Sequence, residues 1–153
     1  MNIFVLHRNP KKAAQMSCDK HVIKMIVETA QMLCTIAHNN GFDAPYRATH
    51  KNHPCTLWAS KSTQNWNWLV NHGIALCEEY TARYGKTHKS MQHIMWCRDL
   101  SMLLPTIGLT PFAQAMPEQY KNKCAVTAYR AYYRGEKSSF ATWKKNKPLW
   151  WTT

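Results

Sequence analysis

The stretch SCDKHVIKMIVETAQMLCTIA, residues 17–37, decides how this chain folds. Placed about 100° apart around a helix, its apolar residues Val22, Ile23, Met25, Ile26, Val27, Ala30, Leu33, Cys34, Ile36 and Ala37 cover most of the circumference. A helix that is apolar on nearly every side is mostly buried, so the segment predicts the central helix of a helical core. Ser17 or Asp19 is the expected N-cap. Only one polar stripe remains, formed by His21, Lys24, Glu28 and Gln31 and bordered by Lys20 and Thr35. It faces either a strip of solvent or the inside of a cleft. At a solvent strip, Lys24 and Glu28 are an i,i+4 pair in the less favourable order. In a cleft, the same residues supply an acid, a base and an amine nucleophile. Of the eight acidic residues, Glu28 is the one embedded in such an apolar stretch.

On the N-terminal side, residues 3–6 form a short apolar run that Pro10 is expected to end. On the other side, residues 38–54 carry Asn39-Asn40-Gly41, Pro45 and Pro54 and read as a loop. A second long helix is predicted over residues 56–84, stopped by Gly85, with Gly73 a place to break or bend. A third spans about residues 88–104 before Pro105. Residues 105–117 are turn-rich, and a last helix covers about residues 123–134. No alternating strand pattern or internal repeat interrupts this. The expectation is an all-α protein: one compact helical domain over residues 1–153, of about four to five helices, with a basic, Trp-rich tail at 138–153.

Composition narrows the partner. Twenty Lys and Arg against eight acids give a formal charge of +12, which suits a polyanion such as nucleic acid, although solvated lysines give the same count. Six scattered cysteines show no zinc-type spacing and several fall in apolar helical patterns, so reduced thiols in a cytosol are expected. The start lacks a signal-peptide h-region and no stretch is long and apolar enough to span a membrane. No Gly-rich phosphate loop, GxSxG elbow or HExxH helix occurs. Clustered acids of the metal-nuclease kind are missing, so an enzyme built on this chain is expected to work without a metal or other cofactor.

Other groups are less specific. His50 and His53, three apart before Pro54, lack supporting ligands for a metal, and His53-Pro54 reads as a sharp turn whose imidazole bonds backbone or phosphate. Glu79 and Arg83 form an i,i+4 pair in the favourable order. The segment Tyr129-Arg130-Ala131-Tyr132-Tyr133-Arg134, followed by Lys137, interleaves aromatics with Arg. It reads either as stacking surfaces beside phosphate partners or as an amphipathic helix packing its Tyr rings.

Asp19-Lys20-His21-Val22 followed by Glu28 resembles the first helix of the small phage pyrimidine-dimer DNA glycosylases of the endonuclease V type. The likeness continues through His53-Pro54, the residue 69–84 helix with Glu79 and Arg83, and the aromatic, basic segment 129–137. It implies an all-α fold and a metal-free N-glycosylase, possessing AP-lyase activity as well, that acts on damaged or modified bases in duplex DNA. By the same resemblance, Glu28 stands at the catalytic glutamate and an amine attacks the sugar C1′ through a Schiff base. In the family that amine belongs to the second residue after loss of Met. Here Asn2 is large enough to keep Met1 in place, so Met1, Lys24 and Lys20 are the rival amines. An α-amine titrates near 7.7–8 and Lys near 10.4, which favours Met1. Where the family has Arg just before and three after its glutamate, this chain has Val27 and Gln31.

The residues expected to line the site are His21, Gln31 and His53, with Tyr129, Arg130, Tyr133 and Arg134 as DNA contacts. DNA is the expected partner, with a nucleotide as the alternative ligand for a non-catalytic protein of the same fold. A monomer in the cytoplasm of a phage-infected or bacterial cell completes the expectation.

Overall fold

Asn9 and Pro10 begin a helix instead of ending a segment. In the computed structural model, which describes residues 1–151, the Asn9 side chain accepts from the Lys11 and Lys12 N–H groups and Pro10 occupies the first turn. A proline there loses nothing, because its missing N–H would have had no intrahelical partner. This gives α1, Pro10–Met16, which the sequence reading left out. The remaining elements are α2 (Asp19–Asn39), α3 (Pro54–Ser60), α4 (Thr63–Tyr84), α5 (Met91–Arg98), a 3₁₀ turn (Glu118–Tyr120) and α6 (Ala125–Glu136). The protein is an all-α single domain with six α-helices among the described residues, one more than the upper expectation. The last two residues of the tail, 152 and 153, lie outside the described residues.

The expected helix over residues 56–84 divides at Lys61-Ser62. Ser62 takes an extended conformation and its hydroxyl accepts the Asn65 N–H, so it caps a new helix. Gly85 ends α4 in the left-handed conformation, as its position predicted. Gly73 does not break α4, which runs on from Thr63 to Tyr84. A Cβ there would meet Thr29 Cγ2 of α2 at 2.8 Å, so the glycine serves close helix approach. The expected helix at residues 88–104 shrinks to α5, and residues 99–117 run as an irregular strap. The N-cap of α2 is Cys18, not Ser17 or Asp19. Ser17 donates instead to the Ala13 carbonyl, and Asp19 faces Arg83.

α4 lies along both α1 and α2, with α5 packed on the two long helices and α3 bridging them. Thirteen of the 21 residues of α2 are buried, which makes it the centre of the core. Ile3, Phe4, Val5 and Leu6 enter this core as an extended segment, so the chain start is threaded through the interior and delivered to the flank of α2. Five cysteines are buried, Cys124 is exposed, and all six are free thiols. No helix among the described residues is long and apolar enough to cross a membrane.

The tail docks on the body. Trp143 donates its indole N–H to the Met16 carbonyl at 2.9 Å, and Trp151 is buried. Its anchor is an ionic cluster around Arg83, whose side chain is fully buried. Arg83 donates to Glu79 Oε1 at 3.0 Å, Asp19 Oδ1 at 3.0 Å, and the Ser17 and Gln15 carbonyls at 2.9 and 3.0 Å. Asp19 also accepts the Lys144 N–H and the Thr142 hydroxyl, while Asn146 donates to Glu79 at 2.7 Å. The Glu79–Arg83 pair therefore ties α4, the start of α2 and the tail together.

Candidate active site

Glu28 sits midway along α2, 8% exposed, with its carboxylate at the mouth of the polar stripe. The Met1 α-amine stands 2.8 Å from its Oε1. This is an ion pair. Both carboxylate oxygens are buried with no hydrogen-bond partner among the described residues. A buried carboxylate in that condition is costly unless an opposite charge compensates it, and the amine is the charge at hand.

Asn2 holds the amine there. Its Nδ2 donates to the Ala115 carbonyl at 2.8 Å, and its Oδ1 accepts the Ile3 N–H at 2.7 Å. The Tyr129 hydroxyl lies 2.9 Å from both Asn2 Oδ1 and the Ala113 carbonyl, sharing one proton between them, and accepts the Ala115 N–H. With Asn2 buried and gripped on both ends, the backbone one residue earlier has little freedom.

Two cavities flank the Met1–Glu28 pair, and Lys24 borders both. One, of about 560 Å³, has Ile23, Val27, Gln31 and His50 as its remaining lining. The other, of about 350 Å³, is bounded by Asn2, Phe4, Met25, His21, His53, Ala115, Tyr132 and Lys137. The polar stripe of α2 thus borders a cleft. Ile23, whose apolar character suited a core position, is 42% exposed at its rim.

The other expected residues divide sharply. His21 is buried, stacked on Phe4 at 4.2 Å, with Nδ1 2.6 Å from the Tyr133 hydroxyl. Burial first, and then Lys137, Lys24 and Lys20, push its pKa down to about 3, so the ring is neutral at ordinary pH. His53 caps α3 by accepting the Cys55 N–H on Nδ1. Burial and then the Met1 amine lower its pKa, which places the ring close to the same charge. The Lys24 ammonium is 3.9 Å from Glu28 Oε2 on a side chain 68% exposed. Lys20 points elsewhere, its Nζ 4.7 Å from the Phe140 ring centre.

The C-terminal segment needs a correction. Tyr129 and Tyr133 are fully buried and hold the chain start and His21 in place, so neither offers a face for stacking a base. Arg130 donates to the Leu6 carbonyl at 2.9 Å and lies over Trp150, which occupies its guanidinium within the protein. Arg134 is exposed and lies one turn further along α6. The amphipathic-helix alternative is what the Tyr rings follow. Asn2 and Tyr132 are site residues that nothing local in the sequence marks, and Lys137, which follows the Tyr–Arg segment, lines the smaller cavity.

Residues 1–93 match the family model described as Pyrimidine dimer DNA glycosylase, and the chain belongs to that family. Its function is accordingly of the DNA glycosylase type, within DNA repair, and DNA is the substrate class. The matched stretch includes the chain start, the whole of α2 and the Arg83 cluster, and stops before α6. No curated protein and no solved structure matches the chain.

Proposed function

We propose that the chain is a metal-free DNA glycosylase with AP-lyase activity, in which the Met1 α-amine is the nucleophile and Glu28 its partner. The observation that carries this reading is the 2.8 Å approach of that amine to a buried carboxylate at a cleft. Glu28 takes a proton from the ammonium, which frees the nitrogen lone pair to attack C1′ of the deoxyribose. The glycosidic C1′–N bond breaks, and the base leaves with the bonding electrons and gains a proton. Opening of the sugar ring then leaves an iminium between the Met1 nitrogen and C1′. Loss of a C2′ proton expels the 3′ phosphate by β-elimination, the lyase step. The carboxylate stabilises each cationic stage because it is already in place and shielded from water.

The alternative amines fit less well. Lys20 faces Phe140, and Lys24 is largely exposed with nothing to hold it in one geometry. Exposed Lys24 supplies a phosphate contact at the cleft, and exposed Arg134, which lies over Trp150, supplies one further along α6. Glu28→Gln tests the assignment. It keeps the shape and the duplex affinity but lowers single-turnover base excision by roughly 10²–10⁴-fold, the usual worth of a positioned proton acceptor. Excision within a few-fold of the parent would remove Glu28 from the mechanism.

A further inference from the structure

Among the buried thiols, two face each other. Cys34 on α2 and Cys97 on α5 are both fully buried, with their sulfurs 3.9 Å apart in thiol–thiol contact. Cys55 and Cys77 behave as ordinary core thiols, and burial pushes them up to about 11 and about 12. Cys34 goes the other way. The Cys97 thiol, donating to it, lowers its pKa against the effect of burial, and the Tyr46 N–H adds to the lowering. One sulfur is thus favoured as thiolate while its neighbour keeps a proton, which is what stepwise oxidation of a thiol pair uses.

The pair joins two helices that are held very unequally. α2 is the centre of the core, whereas α5 has eight residues, buries only Ile94 and Cys97, and lacks a side-chain cap at Ser90. A short helix with so little burial is the kind of element that opens locally, and such an opening admits an oxidant little larger than water. Between the two helices runs the segment that leads to the cleft. The Tyr46 hydroxyl lies 2.7 Å from Ser90 Oγ and its ring 4.4 Å from that of His93, while its carbonyl accepts from His38 of α2 at 2.8 Å. Thr49 is tied to the Thr35 hydroxyl through its N–H at 2.9 Å and its carbonyl at 3.0 Å. The next residue, His50, lines the larger cavity beside Met1 and Glu28.

We propose that Cys34 and Cys97 are a peroxide-sensitive latch, a reversible disulfide that locks α5 onto α2 and fixes the His50 edge of the cleft. The Cys34 thiolate attacks one oxygen of hydrogen peroxide and the O–O bond breaks. The departing hydroxide takes up the proton that Cys34 gave away, leaving water and a Cys34 sulfenic acid. The Cys97 sulfur then attacks the Cys34 sulfur, the S–O bond breaks, and hydroxide leaves with the Cys97 proton as a second water. Two thiols lose two electrons and one peroxide gains them. Disulfide sulfurs lie about 2 Å apart, so the pair closes by roughly a further 2 Å through side-chain rotation and a small shift of α5.

The experiment uses the full chain carrying Cys124→Ser, which removes the one exposed thiol. The protein is treated with hydrogen peroxide, its remaining thiols are alkylated under denaturing conditions, and the peptides are mapped by mass spectrometry. Cys34 and Cys97 should be recovered as one linked species that dithiothreitol separates, with Cys18, Cys55 and Cys77 alkylated. Amide hydrogen exchange across residues 46–50 and α5 should slow severalfold in the oxidised protein and return on reduction. Adding Cys97→Ser should abolish both responses. Cys34 and Cys97 still alkylated after peroxide, or oxidised no sooner than Cys18, Cys55 and Cys77, would overturn the latch. So would a linked pair with exchange at residues 46–50 unchanged.

Discussion

Two buried carboxylate–cation groups lie on α2, and they could hardly be treated more differently. At its N-terminal end Asp19 meets Arg83 and Glu79, where all three guanidinium nitrogens donate to protein acceptors. Nine residues further along, Glu28 meets the Met1 amine with both of its oxygens lacking hydrogen bonds and a cavity on either side. The first group is closed and fully partnered, as a structural ion cluster must be to offset the loss of water. The second leaves capacity unused beside an opening. An unsatisfied buried carboxylate at a cleft is where a protein keeps reactivity, and a satisfied one is where it keeps shape.

The contrast is broken most severely by exchanging the consequences of mutation. Arg83→Met strands the buried Glu79 and the half-buried Asp19 and loosens the tail, so it should lower unfolding stability by about 3–5 kcal/mol in denaturant titration. Glu28→Gln, which keeps the shape and leaves the Met1 amine beside a neutral amide at an open cleft, should change stability by about 1 kcal/mol or less while lowering excision roughly 10²–10⁴-fold. Comparable losses of stability in both variants would mean the two clusters do the same job.

A smaller effect sharpens the role of the chain start. Tyr129→Phe removes the hydroxyl that grips Asn2 and should cost about 1–2 kcal/mol of stability. Because the amine is then less well held, abasic-site trapping should slow severalfold as well. A variant destabilised by that amount with trapping at the parent rate would show that Asn2 anchors the fold alone.

A further effect is in pH. His21 and His72 are neutral in the fold, burial lowering their pKa values to about 3 and about 4 from an ordinary 6.5. The unfolded chain therefore binds more protons between those values and 6.5. Stability from these rings is complete above pH 6.5 and falls as the pH drops towards 4 and then 3. Melting temperature should decline steadily from pH 7 to pH 4.5, and a flat profile would contradict the buried neutral state of both rings.

Much of the helical frame was legible, because α2 repeats its apolar positions over 21 residues and Gly85 is a strong stop. Pro10 reads as a stop and Ser62 as helix interior, yet each marks a helix start, and only the neighbouring packing decides which role applies. Glu28 stood out as an acid within an apolar helix. Its pairing with Met1 spans 27 residues and is set by where the buried residue 3–6 segment ends, which no periodicity encodes. The Tyr129–Arg134 segment failed differently. Interleaved Tyr and Arg have the same pattern whether the rings face bases or the core, and here Tyr129 and Tyr133 are needed inside to hold Asn2 and His21.

The most direct test is borohydride trapping on an abasic duplex followed by mass spectrometry of the digested adduct. The account predicts that the sugar-derived mass lies on the N-terminal peptide, attached to the Met1 α-nitrogen, and that Lys24→Met leaves it there. An adduct on Lys24 or Lys20, or on the Asn2 amine after loss of Met1, would contradict it.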